Sequence, residues 1–369
     1  MHMAEKKDNI WYDSTEIDKL DATYNLIYGQ RSNGKTFRIC RKIIDAWLDE
    51  GLPSAVIRRL AEMIKAANIS KLFDPHLDYI KEKTVGEYNS IVYRQRAFYL
   101  ANYDGDLLIK KQKDPFARCY SINAAETTKG QDAGQVKYVL FDEFITRGFY
   151  LTNEFVLYQN LLSSILRTRG AKIYMIANTV SKYCPYFQEM GLTRIKDQKQ
   201  DTIDVYVMGK TQTKIAVEYC GKSAASLSMQ SYYCFDNPEL DMITTGSWEI
   251  ALYRHIPKEA GQIPPDLTFF ISFDQQLLMG TLRIYKDFPI LCFTKKTTPI
   301  KDPEESIIYS DTINDPNPLH QSELSYNGTA AHRVILDLIK QHKTYFGTNE
   351  DGELFANYLK KATEGGLEV

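Results

Sequence analysis

The chain has 369 residues, 44 % apolar and 25 % charged, an ordinary globular composition that excludes a disordered, collagen-like or coiled-coil protein and leaves room for two or three domains. Six cysteines stand at least 14 residues apart with no C-x-x-C pair, so no zinc ribbon or thioredoxin-like site is legible and reduced thiols are expected. The net charge of −2 hides 30 Lys+Arg against 24 Asp+Glu in residues 1–200 and 15 against 23 thereafter; a basic half suits a polyanion, but uneven solvation explains the bias equally well.

In chain order, YNLIYG (24–29) predicts a buried strand, followed by a Gly-containing loop and a helix from Thr36 to about Glu50 that stops at Gly51-Leu52-Pro53. SAVIRR (54–59) predicts a second strand, residues 60–72 a helical stretch, and 91–111 a hairpin turning at Asp104-Gly105. VKYVLFDEF (136–144) and KIYMIANTV (172–180) predict two more buried strands, separated by an amphipathic helix over 153–170. Continuous apolar strands alternating with helices imply a parallel sheet covered on both faces. Beyond about residue 195 short strands dominate, punctuated by Pro257, Pro264, Pro265 and Pro289, with two helices at the end. The expected division is an α/β domain over 1–199, a connecting segment over 200–229 and a smaller β-rich α+β domain over 230–369. No apolar run reaches the roughly 18–20 residues of a membrane span and no apolar leader is present, so neither membrane nor secretory targeting is expected.

Gly29-Gln30-Arg31-Ser32-Asn33-Gly34-Lys35-Thr36 matches G-x-x-x-x-G-K-[ST] at every fixed position, between a strand and a helix. Glycines permit close approach, inward N–H groups and the helix N-terminus cradle phosphates, Lys35 adds a charge on the β/γ-phosphates, and Thr36 offers a hydroxyl to Mg²⁺. Tyr138-Val139-Leu140-Phe141 then runs into Asp142 and Glu143. Asp142 is the candidate Mg²⁺ ligand and Glu143 the base that polarises the attacking water. The adjacent Glu argues for a hydrolysing ATPase with an additional strand between the two motif strands, using ATP and Mg²⁺. Asn178, ending its strand, is a candidate γ-phosphate sensor or simple strand terminus. Arg167 and Arg169 close the 153–170 helix, and either could reach a neighbouring subunit's nucleotide; Arg167 is preferred, and Arg31 could act within its own chain. Arg58 and Arg59 end the second strand at the same sheet edge, where they could approach phosphate or couple subunits, but they are expected to be solvated.

Together GQRSNGKT, the strand-end IRR, VLFDEFI and ILRTRGAKIYMIANTVSKYCPYF resemble the DNA-encapsidation ATPase of small phi29-like podoviruses over about residues 24–190. The resemblance implies an additional-strand P-loop ATPase assembled as a ring, a pentamer, at the portal vertex of a phage prohead in the host cytoplasm, moving double-stranded DNA into the capsid. It implies the same roles for Lys35, Thr36, Asp142 and Glu143, and makes Arg167 the trans-acting arginine. The C-terminal domain would be ribonuclease-H-like without nuclease activity; Asp274 and Glu249 lie on its strands, but no D-x-D or D-x-E ends an apolar strand. A structural RNA partner known from one branch is not legible, although Lys295-Lys296 offers a basic patch. Lys129, Lys110, Lys111 and Lys113 are candidate DNA contacts that would hold phosphate without reading sequence. Two other readings stand beside this one: a large-terminase-type enzyme with an active metal-dependent nuclease, and a P-loop signalling NTPase indifferent to DNA.

Overall fold

A computed structural model of the protein describes residues 11–29, 33–124, 134–146, 150–151, 153–167, 170–178, 184–195, 197–221, 253–273, 276–310, 320–321 and 329–364. The chain divides into two units, Met1–Trp248 and Glu249–Val369.

In the first unit a short helix α1 (Thr15–Lys19) precedes strand β1 (Tyr24–Gly29), and helix α2 (Lys35–Glu50) leads to β2 (Ser54–Arg58). The short helices α3 (Ala66–Ile69) and α4 (Leu77–Lys83) bring the chain to strands β3 (Ser90–Arg94), β4 (Ala97–Asp104), β5 (Leu107–Lys111) and β6 (Ala117–Ser121). Then follow β7 (Tyr138–Asp142), α5 (Glu154–Leu166), β8 (Lys172–Asn178), α6 (Pro185–Glu189), β9 (Thr202–Met208) and β10 (Thr213–Cys220). The ten strands form one mixed sheet in the order β3-β4-β6-β2-β7-β8-β1-β10-β9, with β5 on β4. Its centre, β6-β2-β7-β8-β1-β10, is parallel, and the two ends are antiparallel.

Alternation along the strands divides the core between two faces. Leu26, Tyr28, Ile57, Phe141 and Met175 pack with Tyr158, Leu161 and Ile165 of α5. Ile27, Val56, Leu140 and Ile176 pack instead with Ile39, Cys40, Ile43 and Ile44, one stripe of α2. The sheet is therefore buried on both sides, which is why its central strands read as continuous apolar runs. α2 stops where the glycine pattern says it should: Gly51 is left-handed at φ 68° and closes the last turn on Ala46 and Trp47.

Three features differ from the sequence expectation. Residues 91–111 make two hairpins, because Gln95 and Arg96 both turn left-handed at φ 52° and 58° without a glycine to announce it. Strand β6 inserts between β4 and β2, although ARCYS carries no strong strand pattern. The segment 200–229 is not merely a connection: β10 pairs with β1 over its whole length and β9 pairs with β10, so residues 202–220 complete the first sheet. Ile215, Ala216 and Val217 are buried there, so the strands of this segment belong to the first sheet and do not merely connect the two units.

In the second unit helix α7 (Lys258–Gln262) precedes strands β11 (Leu267–Phe273), β12 (Gln276–Tyr285), β13 (Phe288–Lys295), β14 (Ile307–Ser310) and β15 (His320–Gln321). Helix α8 (Ala330–Lys340), strand β16 (Thr344–Phe346) and helix α9 (Asn349–Glu364) follow. The six strands are ordered β15-β14-β11-β12-β13-β16. β11, β12 and β13 form an antiparallel meander, and β14, β15 and β16 join in parallel. The expected β-rich unit with two terminal helices is present, although β13 runs through Pro289, which the sequence suggests as a break.

Candidate nucleotide site

The site is built on strand ends. β1, β8, β7 and β2 are parallel neighbours, so their C-terminal ends share one edge of the sheet. β1 delivers Gly29, where a Cβ would lie 2.2 Å from the Cys220 carbonyl oxygen and 2.6 Å from its Sγ. Only glycine lets the chain leave β1 past β10. Gln30, Arg31 and Ser32 lie outside the described residues. The loop resumes at Asn33, which is buried and donates from Nδ2 to Cys220 Sγ at 3.1 Å. Gly34 then turns left-handed at φ 90° to start α2, under the ring of Trp11.

Lys35 is 5 % exposed and donates from Nζ to Asn33 Oδ1 at 3.1 Å and to the Gly29 carbonyl at 3.4 Å. Its ammonium is thus folded back over the loop that carries it. Burial lowers its pKa, while Cys220, Asp142 and Glu218 pull the other way. The Thr36 hydroxyl donates to the Asp142 carboxylate, which joins the loop to β7.

β7 ends on the carboxylate pair. Asp142 is buried, and burial raises its pKa; Arg58, Lys35 and the Thr36 hydroxyl oppose that rise, and Glu143 reinforces it. Glu143 takes φ 65°, a region that side chains other than glycine seldom adopt, and so leaves the strand with its carboxylate half exposed. Arg58 bridges the pair, at 2.5 Å to Asp142 Oδ2 and 3.2 Å to Glu143 Oε2. The expectation of a solvated Arg58 is corrected by this contact. Two adjacent carboxylates at a sheet edge repel each other, and the guanidinium supplies the charge that holds them together.

Arg59 is not solvated either. It is 4 % exposed and points to the opposite side of the strand, where Nε meets both carboxylate oxygens of Glu154 at 3.0 and 2.8 Å. Its Nη groups donate to the carbonyls of Glu143 and Phe144. Sequence reasoning missed this cluster because nothing local identifies a partner 95 residues away.

Of the other candidates, Asn178 is level with Gly29 in the β1/β8 register and belongs to the same edge. Arg167 is exposed and stands apart. Glu154, at the start of α5, packs against Arg59 beside the strand ends, and α5 is 13 residues long. At 1.5 Å per residue its last turn lies roughly 20 Å away, toward the opposite edge of the sheet. Arg169 and Lys129 lie outside the described residues, as do Glu249 and Asp274. Lys110 and Lys111 belong to β5, away from these strand ends; Lys110 pairs with Glu87, and Lys111 sits 3.9 Å over the Tyr99 ring. Among the described residues no group of His, Cys, Asp and Glu side chains forms a metal-binding cluster, and no helix is long and apolar enough to cross a membrane.

Residues 6–208 match the podovirus DNA encapsidation protein (Gp16) family. The chain belongs to that family. The packaging function implied by the resemblance and the ATPase class read from the motifs agree with that membership. Curated proteins give no match. Among solved structures, the chain is similar to the phage phi-29 genome packaging motor assembly, with TM-score 0.59, 16 % identity and coverage of 96 % of this chain and 99 % of that one. It is also similar to the phi-28 gp11 DNA packaging motor, with TM-score 0.56, 15 % identity and coverage of 98 % and 100 %. The N-terminal domain of the phi29 DNA packaging ATPase aligns over 56 % of this chain and 95 % of its own length, at 19 % identity and TM-score 0.45.

Proposed function

We propose that this family member is one subunit of an ATP-driven motor that moves double-stranded DNA into a phage prohead. The observation that carries the reading is the convergence of Lys35, Thr36, Asp142 and Glu143 at one sheet edge. The additional-strand P-loop class is supported by β8, which lies between the strands of the phosphate loop and the carboxylate pair.

In this reading the loop from Gly29 to Thr36 holds the ATP phosphates through its N–H groups and the start of α2. Lys35, already desolvated, meets the β/γ-phosphates, whose charge restores what burial takes from its pKa. Thr36 and Asp142 offer a hydroxyl and a carboxylate already in contact, a donor set that suits Mg²⁺. Mg²⁺ when bound would neutralise charge on the phosphate oxygens. Glu143, directed out of its strand, takes a proton from the attacking water, and Asn178 senses the γ-phosphate from the adjacent strand β8. Arg167, a helix length from its own site, serves the nucleotide of a neighbouring subunit. That role requires a closed ring, which we take to be a pentamer at the portal vertex, in the host cytoplasm. Lys110, Lys111 and Lys129 would touch DNA backbone.

For the second unit we propose a ribonuclease-H-like module without nuclease activity. Its meander β11-β12-β13 with β14 and β15 added in parallel beside β11 is the strand arrangement expected of that fold.

The test is ATP turnover with and without long double-stranded DNA, with Glu143→Gln alongside. Turnover should rise with DNA and fall about 10²- to 10⁴-fold in Glu143→Gln while ATP still binds. Hydrolysis indifferent to DNA would favour a signalling NTPase, and metal-dependent plasmid cleavage would favour a terminase-type nuclease.

A further inference from the structure

Behind the carboxylate pair lies a buried polar network that the reaction as described does not use. Arg59 and Glu154 have side chains only 5 % and 1 % exposed. The arginine uses Nε on the carboxylate and its two Nη groups on the carbonyls of Glu143, at 3.2 Å, and Phe144, at 2.9 Å. The carboxylate in turn accepts from Tyr186 Oη on α6 at 2.8 Å and from the Leu151 N–H at 2.8 Å. The N–H groups of Glu143 and Phe144 both bond to the Ile176 carbonyl on β8, at 2.8 and 3.3 Å. The two residues are therefore held from both sides, by a β8 carbonyl on their donors and by Arg59 on their acceptors, while Glu143 keeps its left-handed φ of 65°.

We propose that Arg59 is a positioning residue for hydrolysis, with Glu154 and Tyr186 as its supports. It fixes the main chain from which the Glu143 carboxylate is aimed, and it ties that main chain to the first turn of α5 and to α6. α5 carries Arg167 at its other end, and α6 follows the segment after Asn178. The network thus makes the aim of one subunit's base depend on the seating of the helix that serves the next subunit. A structural role alone is a poor account of it. A buried ion pair contributes little net stability against an apolar pair of similar volume, whereas two carbonyl contacts on a left-handed turn set an orientation that apolar side chains cannot set. The inference rests on the reading of Glu143 as the base.

The test uses the full chain with long double-stranded DNA, and measures kcat, the KM for ATP and the thermal unfolding midpoint. Arg59→Lys keeps the charge but has one ammonium where the guanidinium serves a carboxylate and two carbonyls; Glu154→Gln keeps the shape but loses the charge. Each should lower kcat about 10- to 100-fold and leave the KM for ATP within about twofold. The double variant Arg59→Met with Glu154→Leu should recover the unfolding midpoint without recovering kcat. If the double variant recovers both, or if kcat only follows the midpoint through the series, the network is structural and the proposal is wrong. Glu143→Gln separates the two levels of the argument. Retained turnover in Glu143→Gln overturns the base and this inference together. Lost turnover there, with full kcat in Arg59→Lys and Glu154→Gln, overturns this inference alone.

Discussion

At the C-terminal edge of the ten-stranded sheet, Lys35, Arg58, Arg59, Asp142 and Glu154 are buried or nearly so, and two ion pairs, Arg58 with Asp142 and Arg59 with Glu154, join distant segments. In the six-stranded sheet the buried carboxylate Asp351 is answered by main chain: one oxygen accepts from the Thr348 N–H at 3.0 Å, the other from the Lys295 N–H at 3.0 Å. Both arrangements satisfy buried charge, but by different means. Asp351 caps the start of α9 and pins it to the end of β13 with main-chain donors that have no alternative use. The charges of the first sheet have backbone contacts too, but each also faces a side chain of another charged or polar residue, and a side-chain partner can be exchanged for a phosphate or a cation. Burial of charge against backbone is a structural device, and burial of charge against charge at a shared strand edge marks chemistry.

The sharpest break in that comparison comes from Arg167→Ala. Turnover should fall about 10³-fold or more, and mixing that variant with Lys35→Ala chains should restore part of it, since each supplies what the other lacks across an interface. Failure of the mixture to recover would confine Arg167 to its own chain. Asp351→Ala should cost about 2–3 kcal/mol by denaturant unfolding of the second unit, leaving the affinity for ATP unchanged. A change in nucleotide affinity would mean that the second unit's charge is not merely structural.

The smallest effect concerns Glu218, whose pKa burial raises to about 7 despite a hydrogen bond from the Tyr12 hydroxyl at 2.5 Å. The unfolded carboxylate loses its proton near its ordinary value of 4.5 and the folded one near 7, so the native state should lose stability as pH rises between the two. Glu218→Gln carries no such proton. Its advantage over the wild-type chain should grow across that window to about 1–3 kcal/mol and stay constant above it, as read from unfolding midpoints at pH 5 and pH 8. A pH-independent difference would rule out the linkage.

Much of the first sheet was legible because its strands are buried on both faces and write themselves as apolar runs between glycines. YNLIYG and KIYMIAN form strands over 24–29 and 172–178, and the helix after the phosphate loop ends at Gly51. The site was legible where its chemistry is sequential, as in Gly34-Lys35-Thr36 and Asp142-Glu143. It was illegible where residues meet across distance. Arg58 and Arg59 are adjacent, yet alternation along the strand sends one to Asp142 and the other to Glu154. β13 was hidden by Pro289, which signals a break; it stands second in the strand, opposite Ile284, where the ladder tolerates a missing donor.

The position of β1 has a bearing on how the protein is made. The phosphate loop follows β1, but its floor is Cys220, in contact with Asn33 across 187 residues of sequence. At about 5–20 residues per second, the finished cradle must wait roughly 10–40 s for that floor to be synthesised. A nascent chain, or one truncated before β10, therefore holds the complete nucleotide motif without the surface that shapes it. In such unfinished subunits Gly29 and Asn33 lack the Cys220 they rest against.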